Sequence, residues 1–258
     1  MILDEIAEST RKRVDSVKRQ KGDEIKAKAL SMDCSTGFPF EAALKKQGIS
    51  FICEVKKASP SKGIIADEFD YLKIAKDYEA AGADALSVLT EPEYFKGSDK
   101  ILSDISKNVK IPILRKDFTI DSYQIYEAKT IGASAVLLIC ALLPTRILAE
   151  YIEIAHSLGL SALVEAHDEN EIRSALEAGA KIIGVNNRNL KDFTVDINNS
   201  ARLRKAVPQD ILYVSESGIK TRDDIAVLEQ NGTNAVLIGE TLMKSADKKT
   251  ALDNLRGE

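Results

Sequence analysis

The chain has no tryptophan, only two histidines and three cysteines, and no apolar run that reaches the roughly 18 residues of a membrane-spanning helix. Each scarcity excludes something. His156 and His167 stand in no metal-ligand spacing, so a core or surface place is the expectation for both. Cys34, Cys53 and Cys140 lie far apart without a CxxC pair, which points to free thiols in a reducing compartment, the cytoplasm. The amino terminus, MILDEIAEST, is acidic and amphipathic, unlike a signal peptide. A formal net charge of -4 gives no electrostatic reason to expect nucleic acid. The basic stretch Arg11–Arg19 is interleaved with apolar residues at helical spacing, as a solvated helix face would be.

What is present is patterned. Residues 1–46 read as a helical extension: Ile2, Leu3, Ile6, Val14 and Val17 recur at helical spacing, Gly22 interrupts, and a short helix Phe40–Lys46 follows Pro39. From Ser50 short apolar runs alternate with amphipathic ones. The runs 50–55, 84–89, 111–115, 134–139, 160–165, 181–186, 211–215 and 234–238 are candidate strands. Helical patterns such as Tyr71–Ala81, Ser122–Ile131, Thr145–Leu158, Glu169–Ala178 and Thr221–Gln230 lie between them. Ala81-Gly82-Ala83-Asp84, Ile131-Gly132-Ala133-Ser134, Ala178-Gly179-Ala180-Lys181 and Asn231-Gly232-Thr233-Asn234 repeat one device, a helix closed by a left-handed Gly before the next strand. Strand–helix alternation over 258 residues predicts an α/β fold, a (β/α)8 TIM barrel forming a single domain over 1–258. An open doubly wound sheet fits less well, because no GxGxxG follows the first strand.

In such a barrel, chemistry sits at the carboxyl ends of the strands. Side chains alternate between strand faces, so Ile52, Glu54 and Lys56 share one face and Cys53, Val55 and Lys57 the other. The same parity groups Leu114, Lys116 and Phe118; Leu163 and Glu165; Gly184, Asn186 and Arg188; and Val214 and Glu216. Each time an apolar inner face ends in a polar residue at the top. Charges rising from an apolar face are costly to bury unless paired or functional. Ser215-Glu216-Ser217-Gly218 and Leu237-Ile238-Gly239-Glu240 end the last two strands, where backbone N–H groups beside glycine suit a phosphate.

Taken together, ICEVKKASPSKG (52–63), LTEPEYFKGS (89–98), ILRKDF (113–118), DSYQIYEA (121–128), LVEAH (163–167), GVNNRNL (184–190), SESGI (215–219) and LIGETLM (237–243) resemble the indole-3-glycerol phosphate synthase family, in family order over nearly the whole chain. Ser122 stands where Pro is common, and Glu240 where some members carry Ser. The resemblance implies a carbon–carbon lyase that closes the indole ring of 1-(2-carboxyphenylamino)-1-deoxyribulose 5-phosphate, with loss of CO2 and water, in tryptophan biosynthesis. It implies Lys116 as the acid at the ketone, its ammonium tuned towards donation; Lys56 at the substrate carboxylate; Glu165 as general base; and Glu54 orienting the lysines. Asn186 and Glu216 would hold sugar hydroxyls, and Arg188 and Ser59 the carboxylate region. Phe95, Phe118, Leu137 and Leu190 would form the slot for the ring, and Ser217, Gly218, Gly239 and Glu240 would take the phosphate. It implies no metal, no organic cofactor and a small phosphorylated substrate as partner; the composition gives no reason to expect membrane or nucleic acid, and a barrel of this size can stand alone as a monomer. Two other functions were open on the residues alone. A sister isomerase would need a Cys/Asp acid–base pair on the first and sixth strands, but Cys53 points outward by parity and the sixth offers Asn186. A non-catalytic sugar-phosphate binder would not need two lysines and three glutamates around one pocket.

Overall fold

The computed structural model describes residues 2–189 and 193–258. Among them, eight parallel strands close into a barrel: β1 (Ser50–Val55), β4 (Ala85–Leu89), β5 (Ile113–Lys116), β6 (Ala135–Ile139), β7 (Ser161–Ala166), β8 (Ile182–Asn186), β9 (Leu212–Glu216) and β10 (Ala235–Ile238). Between β1 and β4 lie a two-stranded hairpin, β2 (Ala58–Ser59) with β3 (Gly63–Ile64), and α3 (Tyr71–Ala80). The remaining helices after the extension are α4 (Asp99–Ser106), α5 (Tyr123–Ile131), α6 (Thr145–Ser157), α7 (Glu169–Glu177), α8 (Asn198–Leu203), α9 (Arg222–Gln230), α10 (Glu240–Lys244) and α11 (Lys248–Arg256).

Parity along the strands divides the core as the sequence predicts. Ile52, Ala85, Leu114, Leu137, Leu163, Ile182, Val214 and Leu237 pack inside the barrel. Phe51, Cys53, Val55, Leu86, Val88, Val136 and Leu138 pack outward into the layer shared with the helices. Both faces are thus dry, which is why the strands read as near-continuous apolar runs. The four glycines of the repeat, Gly82, Gly132, Gly179 and Gly232, all take positive φ between 79° and 93°. The residue two positions later then stitches the neighbouring strand: Asp84 Oδ2 accepts from the Phe51 amide (2.8 Å), Ser134 Oγ from Ile113 (3.3 Å) and Asn234 Oδ1 from Tyr213 (2.8 Å). Lys181 has no acceptor in its side chain, and its backbone carbonyl takes the Leu212 amide instead.

The extension departs from the sequence reading in three ways. First, α1 (Ile2–Ser31) runs unbroken through Gly22. A helix-interior glycine costs only about 1 kcal/mol, and Leu3, Ile6, Val14 and Ala29, buried on either side of it, outweigh that. Second, the basic stretch is not simply solvated. Arg13 reaches Asp117 (3.0 Å) and Lys18 reaches Asp121 (2.7 Å), fastening α1 over the loop that follows β5. Third, α2 (Pro39–Leu44) belongs to the barrel itself. Phe40 and Leu44, both fully buried, pack with the inward residues of the strands and plug the barrel, and Ser50 Oγ donates to the Ala43 carbonyl (2.9 Å) to hold the plug. Deleting residues 1–46 therefore removes core as well as cover. The deletion of 1–46 is expected to lower the thermal and urea midpoints far more than deletion of 1–31, since Phe40 and Leu44 are each worth about 2–5 kcal/mol; equal midpoints for the two truncations would refute the plug.

Candidate active site

Register brings the charged strand ends together. Glu54 of β1 pairs alongside Ser87, Lys116 of β5 alongside Leu89, Glu165 of β7 between Ile139 and Gly184, and Glu216 of β9 between Asn186 and Leu237. They surround a cavity of about 650 Å³ at the carboxyl end of the barrel. Its wall takes in Glu54, Lys56, Lys116, Glu165, Asn186 and Glu216, together with Ser59, Phe95, Phe118, Leu137, Arg188, Ser217, Gly218, Gly239 and Glu240. Leu190 lies outside the described residues. Ile2, Leu3 and Ile6 of α1 complete the apolar rim.

The charges are interlocked. Lys56 Nζ is paired with Glu54 Oε1. Lys116 Nζ lies 3.2 Å from Glu165 Oε2 and 3.6 Å from Glu216 Oε2. Asn186 Nδ2 donates to Glu165 Oε1 over 3.3 Å. Two glycines make this packing possible by lacking a Cβ: one at Gly184 would collide with Glu216 Oε1, and one at Gly239 with Glu54 Oε1 and Lys56 Nζ. Gly239 thus serves the ion pair as well as the turn into α10.

Burial and pairing pull the acid–base groups apart. Burial works against the Lys116 charge, but Glu165, Glu216 and Glu54 outweigh it and hold the ammonium above the ordinary lysine range. The expected tuning towards easy donation is therefore not a lowered proton affinity; Lys116 is kept loaded. Burial pushes Glu165 up, but Lys116, His167 and Asn186 carry it well below the usual carboxylate range. Glu216 goes the other way. Burial, with Glu165 and Glu54 adding to it against Lys116, pushes it up to about 7, and its Oε1 is buried without a hydrogen-bond partner among the described residues.

In the wall of the same cavity, Ser217 and Gly218 follow β9 with positive φ (69° and 84°), and Gly239 and Glu240 start α10. The Glu240 carboxylate is held by Lys244 (2.7 Å), with Lys62 3.9 Å away. The hydrogen bond from Lys244 keeps it ionised, below the usual carboxylate range. A carboxylate only accepts hydrogen bonds, so the side of Glu240 suited to an anion is its backbone N–H.

Three features escaped the sequence reading. His167 was expected in the core or at the surface, but its Nε2 lies 3.3 Å from Glu165 Oε1 and its Nδ1 3.0 Å from Glu171 Oε2. Its parity with Leu163 and Glu165 is the signal that points it there. His156, by contrast, packs edge-on against Phe38 at 5.6 Å. Glu91, 1% exposed, accepts from the amides of Glu93 (2.9 Å), Tyr94 (2.7 Å) and Phe95 (3.0 Å), shaping the loop that sets Phe95 at 6.0 Å from Phe118, ring centre to ring centre. Arg115, fully desolvated behind Lys116, is held by Asp99 (2.7 Å), Glu127 (2.7 Å) and Asp117 (3.4 Å).

A family model described as indole-3-glycerol phosphate synthase matches residues 3–255. A protein of that name from Ruminiclostridium cellulolyticum is 62% identical over 258 residues, covering 100% of this chain and 99% of its own. Another, from Endomicrobium trichonymphae, is 56% identical over 257 residues, 99% of this chain and 100% of its own. Among solved structures, that of a 3-hexulose-6-phosphate synthase superposes with a TM-score of 0.65 at 15% identity, covering 81% of this chain and 99% of the other, a likeness of fold alone.

The raised Glu216 fixes a pH dependence. Its carboxyl is favoured in the folded state while protonated, so that stabilisation is complete below the unfolded value near 4.5 and is lost as pH rises through about 7. The substitution Glu216→Gln escapes the loss. Relative to the parent, it is expected to gain about 3 kcal/mol between pH 4 and pH 8.5 in urea unfolding; a pH-independent difference would show that Glu216 is not strained in this way.

Proposed function

The chain belongs to the indole-3-glycerol phosphate synthase family, and from that premise we propose how its barrel mouth carries out the reaction. The enzyme is a carboxy-lyase of tryptophan biosynthesis that closes the indole ring of 1-(2-carboxyphenylamino)-1-deoxyribulose 5-phosphate with loss of CO2 and water. The phosphate sits against the backbone of Ser217, Gly218, Gly239 and Glu240. The aromatic ring lies in the slot of Phe95, Phe118 and Leu137. Lys56, Arg188 and Ser59 receive the carboxylate, and Asn186 and Glu216 the sugar hydroxyls.

Lys116 stands at the ketone oxygen. A loaded ammonium there stabilises the negative charge that grows on that oxygen as the ring carbon attacks, and yields its proton as the charge develops. The phenylamino nitrogen pushes that attack; CO2 then leaves, and the pair it leaves behind restores the aromatic ring and the nitrogen lone pair. The hydroxyl departs as water with Lys116 again as proton donor, while Glu165 removes the methylene proton that gives the indole double bond. The two steps are coupled. Glu165 is a weak base while Lys116 is charged at 3.2 Å; once Lys116 has given up its proton, the charge that depressed Glu165 is gone and its basicity rises. The same reading makes residues 1–258 one functional unit, a cytoplasmic monomer whose partner is a small phosphorylated molecule, with free Cys34, Cys53 and Cys140 and neither cofactor nor nucleic acid required.

The observation that carries this reading is the Lys116–Glu165 pair, which shares one cavity with Phe95, Phe118 and the glycine-bearing turns after β9 and β10. Lys116→Ala is expected to lower kcat by about 10²–10⁴-fold and to leave the Kd of a phosphorylated product analogue within about tenfold. Turnover is read as indole fluorescence, which no tryptophan of the chain obscures. A near-normal kcat would remove Lys116 from the acid's place.

A further inference from the structure

The ring closure has a proton balance that the mouth alone does not meet. The ketone oxygen takes two protons to leave as water, and the methylene carbon releases one. The carboxylate anion leaves as neutral CO2, so each turnover draws one proton from water. A substrate seated in the mouth displaces water from it.

A second cavity of about 460 Å³ lies beside the first. His167, Asp168 and Glu171 line it, and Asn186 and Arg188 border both. His167 bridges the two: Nε2 faces Glu165 at 3.3 Å, and Nδ1 faces Glu171 at 3.0 Å. Nε2 is buried and, among the described residues, makes no other polar contact than this one to Glu165. Glu165 in turn touches Lys116 through its other oxygen, Oε2, at 3.2 Å. The chain of contacts runs cavity, His167, Glu165, Lys116.

We propose that His167 is the proton port of the active site, reloading Lys116 through Glu165 from the second cavity. After Lys116 has given its proton to the ketone oxygen, the imidazolium passes its Nε2 proton to Glu165 Oε1, and Glu165 passes one from Oε2 to the neutral amine. Glu165 is again a carboxylate; when Lys116 then gives its second proton to the departing hydroxyl, Glu165 takes the methylene proton and returns it to Lys116 across 3.2 Å. The neutral ring turns about its Cβ–Cγ bond and takes a proton from water in the second cavity. One proton enters, none is created, and no bond other than N–H and O–H changes. The carboxylates Glu165 and Glu171 on either side keep the resting ring charged, pushing it up to about 10 against the effect of burial.

The inference rests on Glu165 and Lys116 acting as assigned above, and the test separates the two. The full-length variants His167→Ala and His167→Asn are compared with Glu165→Gln. With enzyme in excess, release of CO2 in a single turnover draws only on the proton already stored on Lys116. It should run within about twofold of the parent in both His167 variants. Steady-state kcat should fall about tenfold or more, with KM within about twofold, and added imidazole should restore His167→Ala several-fold with saturation. Glu165→Gln should lose steady-state turnover without rescue. A His167→Ala kcat within twofold of the parent overturns the port. So does a kcat lowered together with the rate of CO2 release and unmoved by imidazole, which would make His167 only a prop for Glu165. Full activity in Glu165→Gln overturns the assignment of the base itself.

Discussion

The structure depends on the ammonium of Lys116. Glu54, Glu165 and Glu216 are each no more than 4% exposed at the mouth of one barrel, and three buried carboxylates without a cation would cost several kcal/mol each. Lys116 stands among them, 3.2 Å from one and 3.6 Å from the next, while Lys56 holds the third. The arrangement is a compromise rather than a set of matched pairs. Glu165 takes most of the benefit and stays ionised, and Glu216 is left with an unpartnered oxygen and a raised proton affinity. Carboxylates with separated affinities in one pocket are what acid–base division of labour needs.

The scaffold that fixes Lys116 is itself charged. Parity turns Lys116 inward and its neighbours Arg115 and Asp117 outward on the same short strand end. Asp117 accepts from Thr90 Oγ1 (2.8 Å), its own neighbour's amide at Phe118 (2.8 Å), and Arg13 of the N-terminal helix (3.0 Å). Burial raises its carboxyl, but Arg115 and Arg13 outweigh that and hold it below the usual range. The helix that carries Arg13 also lays Ile2, Leu3 and Ile6 along the cavity. One element therefore sets both the apolar rim of the site and, through Asp117, the strand end on which Lys116 stands.

Much of this was legible in the sequence because period-two alternation is a strong rule. Glu54, Lys116, Glu165 and Glu216 share parity with apolar inner residues, and four Gly-closed helices mark the repeat. What was not legible depends on packing across elements. Nothing local says that Gly22 is outvoted by Leu3, Val14 and Ala29, or that Phe40 of a six-residue helix fills the barrel. The hairpin formed by Ala58–Ser59 and Gly63–Ile64 has two residues on each side, too few for periodicity to show. Helices such as Asn198–Leu203 and Glu240–Lys244 span barely more than one turn. The absence of metal-ligand spacing around His167 leaves only a core or surface place as the expectation, while its two-residue offset from Glu165 is the informative fact. The site also carries two glycines, Gly184 and Gly239, whose reason is steric and lies on other strands.

The same coupling explains why the groups belong on a closed barrel. Proton transfer between Lys116 and Glu165 shifts the affinity of each by changing the charge felt by the other, and the effect is large only where water is excluded. A displacement of the strands by even one residue would turn Glu165 to the helical face and bring Ala166 in its place. Closure of the sheet forbids that slip, because each strand is registered on both sides: Glu165 lies against Ile139 on one neighbour and Gly184 on the other. The bare Cα of Gly184 then leaves the volume into which the Glu216 carboxylate folds. Backbone register, a missing side chain and a shared ammonium together hold three carboxylates at distances where the protonation of one decides the strength of the next.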